Sequence, residues 1–290
     1  MNPILETKGL TFIYSPGTAY AKVACDHVDV TLYEGEFLGV IGHTGSGKST
    51  LIQQLNGLLR PTEGQVLLRG KDIWAEPKKI RAVRFQVGMV FQYPEYQLFE
   101  ETVMKDICFG PKNQGLSEEE ALERAREAAY FVDLKEELWE KSPFELSGGE
   151  KRRAAIAGVL AMDPDVLILD EPAAGLDPKG RDKLLSQIRR YHKARGNTVL
   201  LVSHSMEDIA RVADRVLVMN GGKMAMLDET PKVFARGEEL EKMGLMVPQV
   251  TRMMARLKQL GYPVRGDELT VEQAVEELSA LYGKGGQAGC

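Results

Sequence analysis

The sequence predicts an α/β fold built on a mostly parallel sheet, and three stretches carry that expectation. "FLGVIG" (37–42) is an apolar run ending in glycine, and the helically spaced "STLIQQLNGL" (49–58) follows it as a strand–loop–helix unit. "DVLILDE" (165–171) is apolar without polar alternation, as a strand covered on both faces of a parallel sheet must be. "TVLLVSH" (198–204) repeats that pattern, with helices expected at 178–194 and 205–212 and a further strand at 215–220.

The remaining elements are arranged around this core. Residues 4–14 and 27–33 read as strands of an N-terminal antiparallel part, and "QVLLRG" (65–70) and "VGMVFQ" (87–92) as shorter strands. From Leu116 the character becomes helical. "SEEEALERAREAAYFVDL" (117–134) opens with a Ser cap and an acidic first turn, which suits the positive end of a helix. Residues 149–162 form another expected helix, so a helical subdomain of about 115–162 interrupts the strand–helix alternation. Beyond about 230 the pattern weakens into two amphipathic stripes. One is Val250, Met253, Met254, Leu257 and Leu260, and the other is Val271, Ala274, Val275, Leu278 and Leu281. The expected division is therefore a large domain at 1–231 and a helical appendage at 232–290, ending in a loose tail, "GKGGQAGC".

Composition narrows the class. The 290 residues suffice for one large domain plus a small appendage. A net charge of -5 lacks the basic footprint of a nucleic-acid binder. No apolar run approaches the ~20 residues of a membrane helix, and the first residues lack a signal-peptide pattern. Cys25, Cys108 and Cys290 show no metal-type spacing and read as reduced thiols of a cytosolic protein.

The chemistry concentrates at strand ends. Gly42-His43-Thr44-Gly45-Ser46-Gly47-Lys48-Ser49-Thr50 contains G-x-x-x-x-G-K-[ST], a loop whose backbone N–H groups bind phosphate oxygens at a helix N-terminus. Lys48 would reach the terminal phosphates, and the Ser49 hydroxyl would ligate Mg²⁺. Asp170 and Glu171 end an apolar strand. A pair that merely caps the next turn is the competing reading, but beside a phosphate cradle Asp170 suits a metal shell and Glu171 suits an attacking water. His204 should emerge at the same sheet edge and orient that water, although a strand-end histidine by itself is more often structural. Gln92 can complete a metal shell, a weak signal in isolation. The Tyr14 ring can stack on a base, or simply pack.

Taken in order, GHTGSGKST, Gln92, LSGGE (146–150), VLILDEP with AGLD (174–177) and His204 in SHSME resemble the nucleotide-binding subunits of ABC transporters over residues of about 4–230. The resemblance implies a P-loop ATPase fold using ATP and Mg²⁺. It makes 42–50 the phosphate loop, Ser49, Gln92 and Asp170 the Mg²⁺ residues, Glu171 the general base, His204 the switch residue and Tyr14 the adenine platform. It also implies that Ser147, Gly148, Gly149 and Glu150, with Asp177, complete the ATP site of a second subunit packed head to tail. The start of the 149–162 helix supports this, being a second anion-binding terminus on a separate helical block. Glu150 stands where the family usually has Gln, and EPAAGLD replaces the usual EPTAGLD.

A finer pattern, "QYPEYQLFEETVMKDICFGPKNQGLS" (92–117), resembles the ATPases of energy-coupling factor importers, particularly the second ATPase of a heterodimeric pair. That likeness implies uptake of vitamins or transition-metal ions, peripheral attachment at the cytoplasmic face of the membrane, and three kinds of partner. These are a second and different ATPase chain, a membrane coupling protein docked near Gln97–Phe109 where Leu98, Phe99 and Val103 read as exposed, and a substrate-binding membrane protein. Other readings are an ATPase of a different ABC importer, a soluble ABC ATPase acting on nucleic acid or ribosomes, or a non-catalytic cassette. The single cassette and acidic charge argue against the nucleic-acid role. Lys48, Asp170, Glu171 and His204 argue against an inert scaffold.

Overall fold

The structure, a computed structural model, describes residues 2–285, so Cys290 and most of the expected loose tail lie outside the described residues. In chain order the strands are β1 (Pro3–Tyr14), β2 (Lys22–Val28), β3 (Thr31–Tyr33), β4 (Phe37–Ile41), β5 (Glu63–Leu68), β6 (Lys71–Asp72), β7 (Val87–Val90), β8 (Val166–Asp170), β9 (Thr198–Val202), β10 (Arg215–Asn220) and β11 (Lys223–Glu229). The helices are α1 (Lys48–Leu55), α2 (Ile80–Gln86), α3 (Val103–Asn113), α4 (Glu118–Phe131), α5 (Gly148–Leu160), α6 (Pro178–Arg195), α7 (Met206–Val212), α8 (Thr230–Phe234), α9 (Gly237–Lys242), α10 (Gln249–Gln259) and α11 (Val271–Gly285).

Two sheets sandwich one core. The six-stranded sheet has the order β11-β10-β4-β9-β8-β7, parallel except for the β10–β11 hairpin. Every residue of β4, β8 and β9 is buried, which is why these strands carry no polar alternation. The other sheet is antiparallel and built on β1, which is long enough to pair with β2, β3 and β5 along different parts of its length. Residues 27–33 do not form one strand; the chain leaves β2 at Val28 and starts β3 at Thr31. The crossover passes over Thr7, whose buried hydroxyl donates to Val28 O at 2.8 Å and accepts from the Val30 N–H at 2.9 Å. That one side chain satisfies backbone groups the ladder cannot serve. The hydrophobic interior between the sheets includes Leu5, Leu32, Leu38, Val40, Leu51, Ile52 and Leu217.

The other face of the parallel sheet carries α3 to α7, whereas α1 packs between the sheets. Ala121, Ala125, Ala128 and Ala129 of α4 share one core with Ile107 of α3 and Ala154 and Ala157 of α5. Small side chains permit this close approach, and α3 extends the helical layer N-terminally of residue 115. The expected boundary at 231/232 falls inside α8. Val233, Phe234, Leu240, Leu245 and Val247 pack into the main core, whereas α10 and α11 form a separate small cluster around Met254, Val264 and Ala274. Gly283–Gly285, expected in the tail, belong to α11.

Candidate nucleotide site

β4 ends at Ile41 and α1 begins at Lys48, with the glycine-rich loop turning between them. Gly42 has φ +157, and a Cβ there would lie 2.4 Å from Met219 O; at Gly47, with φ +101, it would lie 2.3 Å from Ala24 O. The loop is therefore wrapped so closely by neighbouring backbone that only glycine fits. Lys48 is buried and spans the loop from inside, its Nζ donating to Gly42 O at 2.7 Å and His43 O at 3.1 Å. Ser46 Oγ is buried without a partner. His43 contacts Thr44 O through Nδ1 at 2.8 Å and Asn220 Oδ1 through Nε2 at 3.1 Å, tying the loop to the end of β10.

A cavity of about 360 Å³ collects most of the expected residues: Tyr14, Thr44, Gly45, Gly47, Lys48, Ser49, Thr50, Gln92, Asp170, Glu171 and His204. They arrive on different elements. Asp170 ends β8, Gln92 follows β7, and His204 follows β9. Tyr14 ends β1, where its hydroxyl lies 3.1 Å from Thr50 Oγ1 and its ring stands edge-on to Phe12. Gly42 and His43 line a neighbouring, larger cavity of about 810 Å³ that runs past Thr44 and His204 towards Met246 and Arg252. Lys22 also lines the smaller cavity. It belongs to β2 and carries no motif, so nothing in the sequence signalled it.

The electrostatics follow from burial. Glu171 holds a left-handed backbone, φ 49, and its Oε1 is buried with no hydrogen-bond partner. His204 Nε2 stands 3.5 Å from that oxygen, too long for a good bond. Burial pushes the Glu171 carboxyl up to about 7; the backbone hydrogen bond from His204 opposes this and the charge on Asp170 adds to it. Burial also lifts Asp170 above the usual carboxylate range, against the pull of the Ser49 hydroxyl and Lys48. It lowers Lys48, which the two carboxylates partly restore, and it lowers His204, with Lys48 adding to that effect. The site thus holds a buried Asp170, a partly buried Glu171, a buried ammonium and a neutral imidazole around a backbone anion cradle.

The LSGGE residues lie elsewhere. None of Ser147, Gly148, Gly149 or Glu150 lines this cavity, nor does Asp177. Ser147 caps α5 in a reciprocal capping box. Its Oγ and N–H both donate to Glu150 Oε2, at 2.6 and 2.9 Å, and Glu150 N–H returns to Ser147 Oγ at 3.4 Å. A Cβ at Gly148 would meet nothing within 4 Å, so this turn is open to the outside. Asp177 caps α6, accepting from Gly180 N–H at 2.8 Å. Of the residues expected to be exposed near Gln97–Phe109, Val103 is fully buried on the inner side of α3, and Leu98, in the segment before it, packs partly against the core. Phe99 and Phe109 are the exposed pair, edge to face at 4.9 Å, with Tyr96 beside them in sequence 85% exposed.

A phosphate loop, a strand-end carboxylate pair and a strand-end histidine on a parallel sheet define a P-loop nucleotide-binding protein. Comparison with known proteins narrows this. A family model described as ABC transporter matches residues 25–174. The energy-coupling factor transporter ATP-binding protein EcfA2 of Caldanaerobacter subterraneus subsp. tengcongensis is 54% identical over 94% of this chain and 96% of its own length. Its counterpart in Clostridium perfringens is 52% identical, again over 94% and 96%. Among solved structures, cbiO1 of Clostridium perfringens, part of the ABC transporter complex cbiONQ, superposes with a TM-score of 0.74 at 37% identity, covering 88% of this chain and 99% of that one. An ATP-binding cassette captured as a dimer with ADP and Pi superposes with a TM-score of 0.70 at 28% identity, over 78% and 99%. The chain belongs to the ABC transporter family, as an ATP-hydrolysing subunit of the energy-coupling factor type.

Proposed function

We propose that this chain binds MgATP at the 42–50 loop, hydrolyses it in a site completed by a second, different ATPase subunit, and drives uptake of a vitamin or transition-metal ion. It works at the cytoplasmic face of the membrane, bound to a membrane coupling protein that is joined by a substrate-binding membrane protein. No helix among the described residues is long and apolar enough to cross a membrane, so such attachment would be peripheral. The observation that carries the catalytic reading is Glu171: a partly buried carboxylate whose Oε1 is buried and unpartnered, next to Asp170 and lining the same cavity as Lys48.

The donors fit the ion. Ser49 hydroxyl, Gln92 carboxamide and Asp170 carboxylate line one cavity and offer the hard oxygens Mg²⁺ prefers. When bound, the ion would neutralise phosphate charge and polarise the bond to be broken. The chain's own residues do the rest. Lys48 and the loop amides hold phosphate oxygens, Tyr14 offers a face for the adenine, and His204, neutral and at the rim, positions a water. Glu171 accepts that water's proton. The signature turn 147–150 and Asp177 stand outside their own chain's cavity, which supports a role towards the partner's nucleotide. The exposed Phe99–Phe109 pair offers an apolar face for the coupling protein.

Glu171→Gln keeps shape and hydrogen bonding and removes the base. Positioned proton acceptance is worth about 10²–10⁴-fold in rate. Steady-state hydrolysis should nearly vanish while ATP binding, measured by titration of the purified subunit, survives. Substantial turnover by the variant would sink the assignment.

A further inference from the structure

We infer that Arg152 is a positioning residue that couples the signature helix to this chain's own Glu171 turn and to the segment after Gln92, so that the two ATP sites sense each other through one guanidinium. The inference rests on the catalytic reading above.

Arg152 lies early in α5, a few residues after the signature turn, and is 5% exposed. Three separate parts of the chain converge on it. Its Nε and Nη2 donate to the two carboxylate oxygens of Glu95 at 3.1 and 2.7 Å, the planar fork-to-fork geometry that only arginine offers. Its Nη1 donates to Ala174 O at 2.6 Å and Pro172 O at 3.3 Å, the carbonyls of the turn that follows Glu171. Its guanidinium carbon stands 6.0 Å from the centre of the Tyr93 ring. Both turns it holds are strained. Tyr93 has φ 56 and Glu171 has φ 49, left-handed values for non-glycine residues. Such backbone persists only where its surroundings over-determine it. Burial alone would raise the Glu95 carboxyl, yet the hydrogen bonds and charge of Arg152 hold it below the usual range, so the pair is ionised and mutually neutralising.

The consequence is mechanical. A shift of α5 relative to the parallel sheet moves the Arg152 donors, and with them the Pro172 and Ala174 carbonyls and the Glu95 carboxylate. In the proposed pair, the N-terminus of α5 faces the partner's nucleotide. Occupancy of the partner's site is then felt at this chain's base and at the turn leading to Phe99. A lysine cannot replace the residue, because one ammonium cannot serve a bidentate carboxylate and two carbonyls in a fixed plane.

The test uses the full-length chain assembled with its partner ATPase and membrane proteins in liposomes. Arg152→Lys should lower kcat for ATP hydrolysis by roughly a hundredfold, the cost of misplacing a reacting group by about 1 Å. It should also abolish cooperativity in ATP, while leaving ATP affinity of the isolated subunit little changed. Glu95→Gln keeps the Pro172 and Ala174 contacts, so hydrolysis should persist while transport per ATP hydrolysed falls. Melting temperature is followed for both variants. A merely structural role predicts that kcat, KM and transport decline together in both variants in step with melting temperature, and that outcome overturns the inference. So does wild-type kcat with wild-type cooperativity in Arg152→Lys. Turnover surviving in Glu171→Gln would instead overturn the catalytic reading beneath it.

Discussion

Glu150 and Glu171 are the residues at which charge decides behaviour. Glu150 is bound by Ser147, which holds its carboxyl below the usual range, so it is ionised at neutral pH. Gln can make the same capping box without the charge. Glu150→Gln should therefore tighten ATP binding at the partner's site, and more at low ionic strength than at high, because salt screens exposed charge. ATP titrations of the assembled pair at two salt concentrations check this; equal affinities for mutant and wild type at both would show that the charge is not felt. Glu171 has the opposite problem. Its folded pKa lies near 7, above the ordinary 4.5, so the fold favours the protonated form. That preference stabilises fully below about 4.5 and is lost as pH rises through about 7. In its proposed role as base Glu171 must be deprotonated, so kcat/KM for ATP should rise across the same region. Glu171→Gln has no charge to bury, and should melt higher than wild type at pH 8, by up to about 3 kcal/mol of stability, while the two converge towards pH 5. A melting difference independent of pH would contradict this.

Among the elements, α3 and the segment that leads into it show how exposure can mislead. Phe99→Asp touches an exposed ring and should leave the fold intact, because surface changes cost little. Copurification with the membrane coupling protein and transport should fall, whereas hydrolysis by the ATPase pair should stand. Unchanged copurification would remove this face from the contact. Val103→Asp, at a fully buried position, should instead unfold the helical layer, since it buries an unpaired charge. In sequence the two residues looked alike. Helix α3 itself was not legible, because Gly110 and Pro111 break its pattern; a Cβ at Gly110 would come within 2.6 Å of Met162, so the glycine serves packing rather than a turn. Helix α2 spans only seven residues and turns just Ile80 and Val83 partly onto the core, too short a stripe to read. Strands β4, β8 and β9 were legible because their burial on both faces leaves a continuous apolar run. The loop at 42–50 was legible because glycines, lysine and serine must follow a strand at fixed spacing. The Arg152–Glu95 pair was not, since 57 residues separate its members and only the packed fold brings them together.

At the scale of the whole molecule, the C-terminal region divides differently from its pattern. We place the boundary near Pro248, because residues 233–247 contribute to the main core while α10 and α11 make their own cluster. Truncation after Val247 should leave melting and ATP affinity largely intact and weaken nucleotide-free association with the partner ATPase. Truncation after Pro231 removes the fully packed Val233, Phe234 and Leu240 and should destabilise the cassette by several kcal/mol, as large core deletions do. Equal association of the shorter chain and wild type in nucleotide-free buffer would exclude α10 and α11 from the contact. The amphipathic stripes were visible in sequence. Which helices docked on the cassette was not, because both kinds expose and bury apolar residues at the same spacing.

The strand order also bears on how the chain is made. β4 ends at Ile41 and lies between β9 and β10, whose residues begin at Thr198 and Arg215. During synthesis at about 5–20 residues per second, this wholly apolar strand waits on the order of ten seconds for either neighbour. The parallel sheet cannot close in order of synthesis, since β4 is translated first yet pairs with β9 and β10, which follow β7 and β8. Such long-range pairing folds slowly and leaves strand edges open to other chains. The nascent chain therefore needs shelter until Asn220 has left the ribosome, and refolding from denaturant should be slow and limited by concentration. The phosphate loop hangs from that same waiting strand, so nucleotide gains its full site only after the sheet has closed.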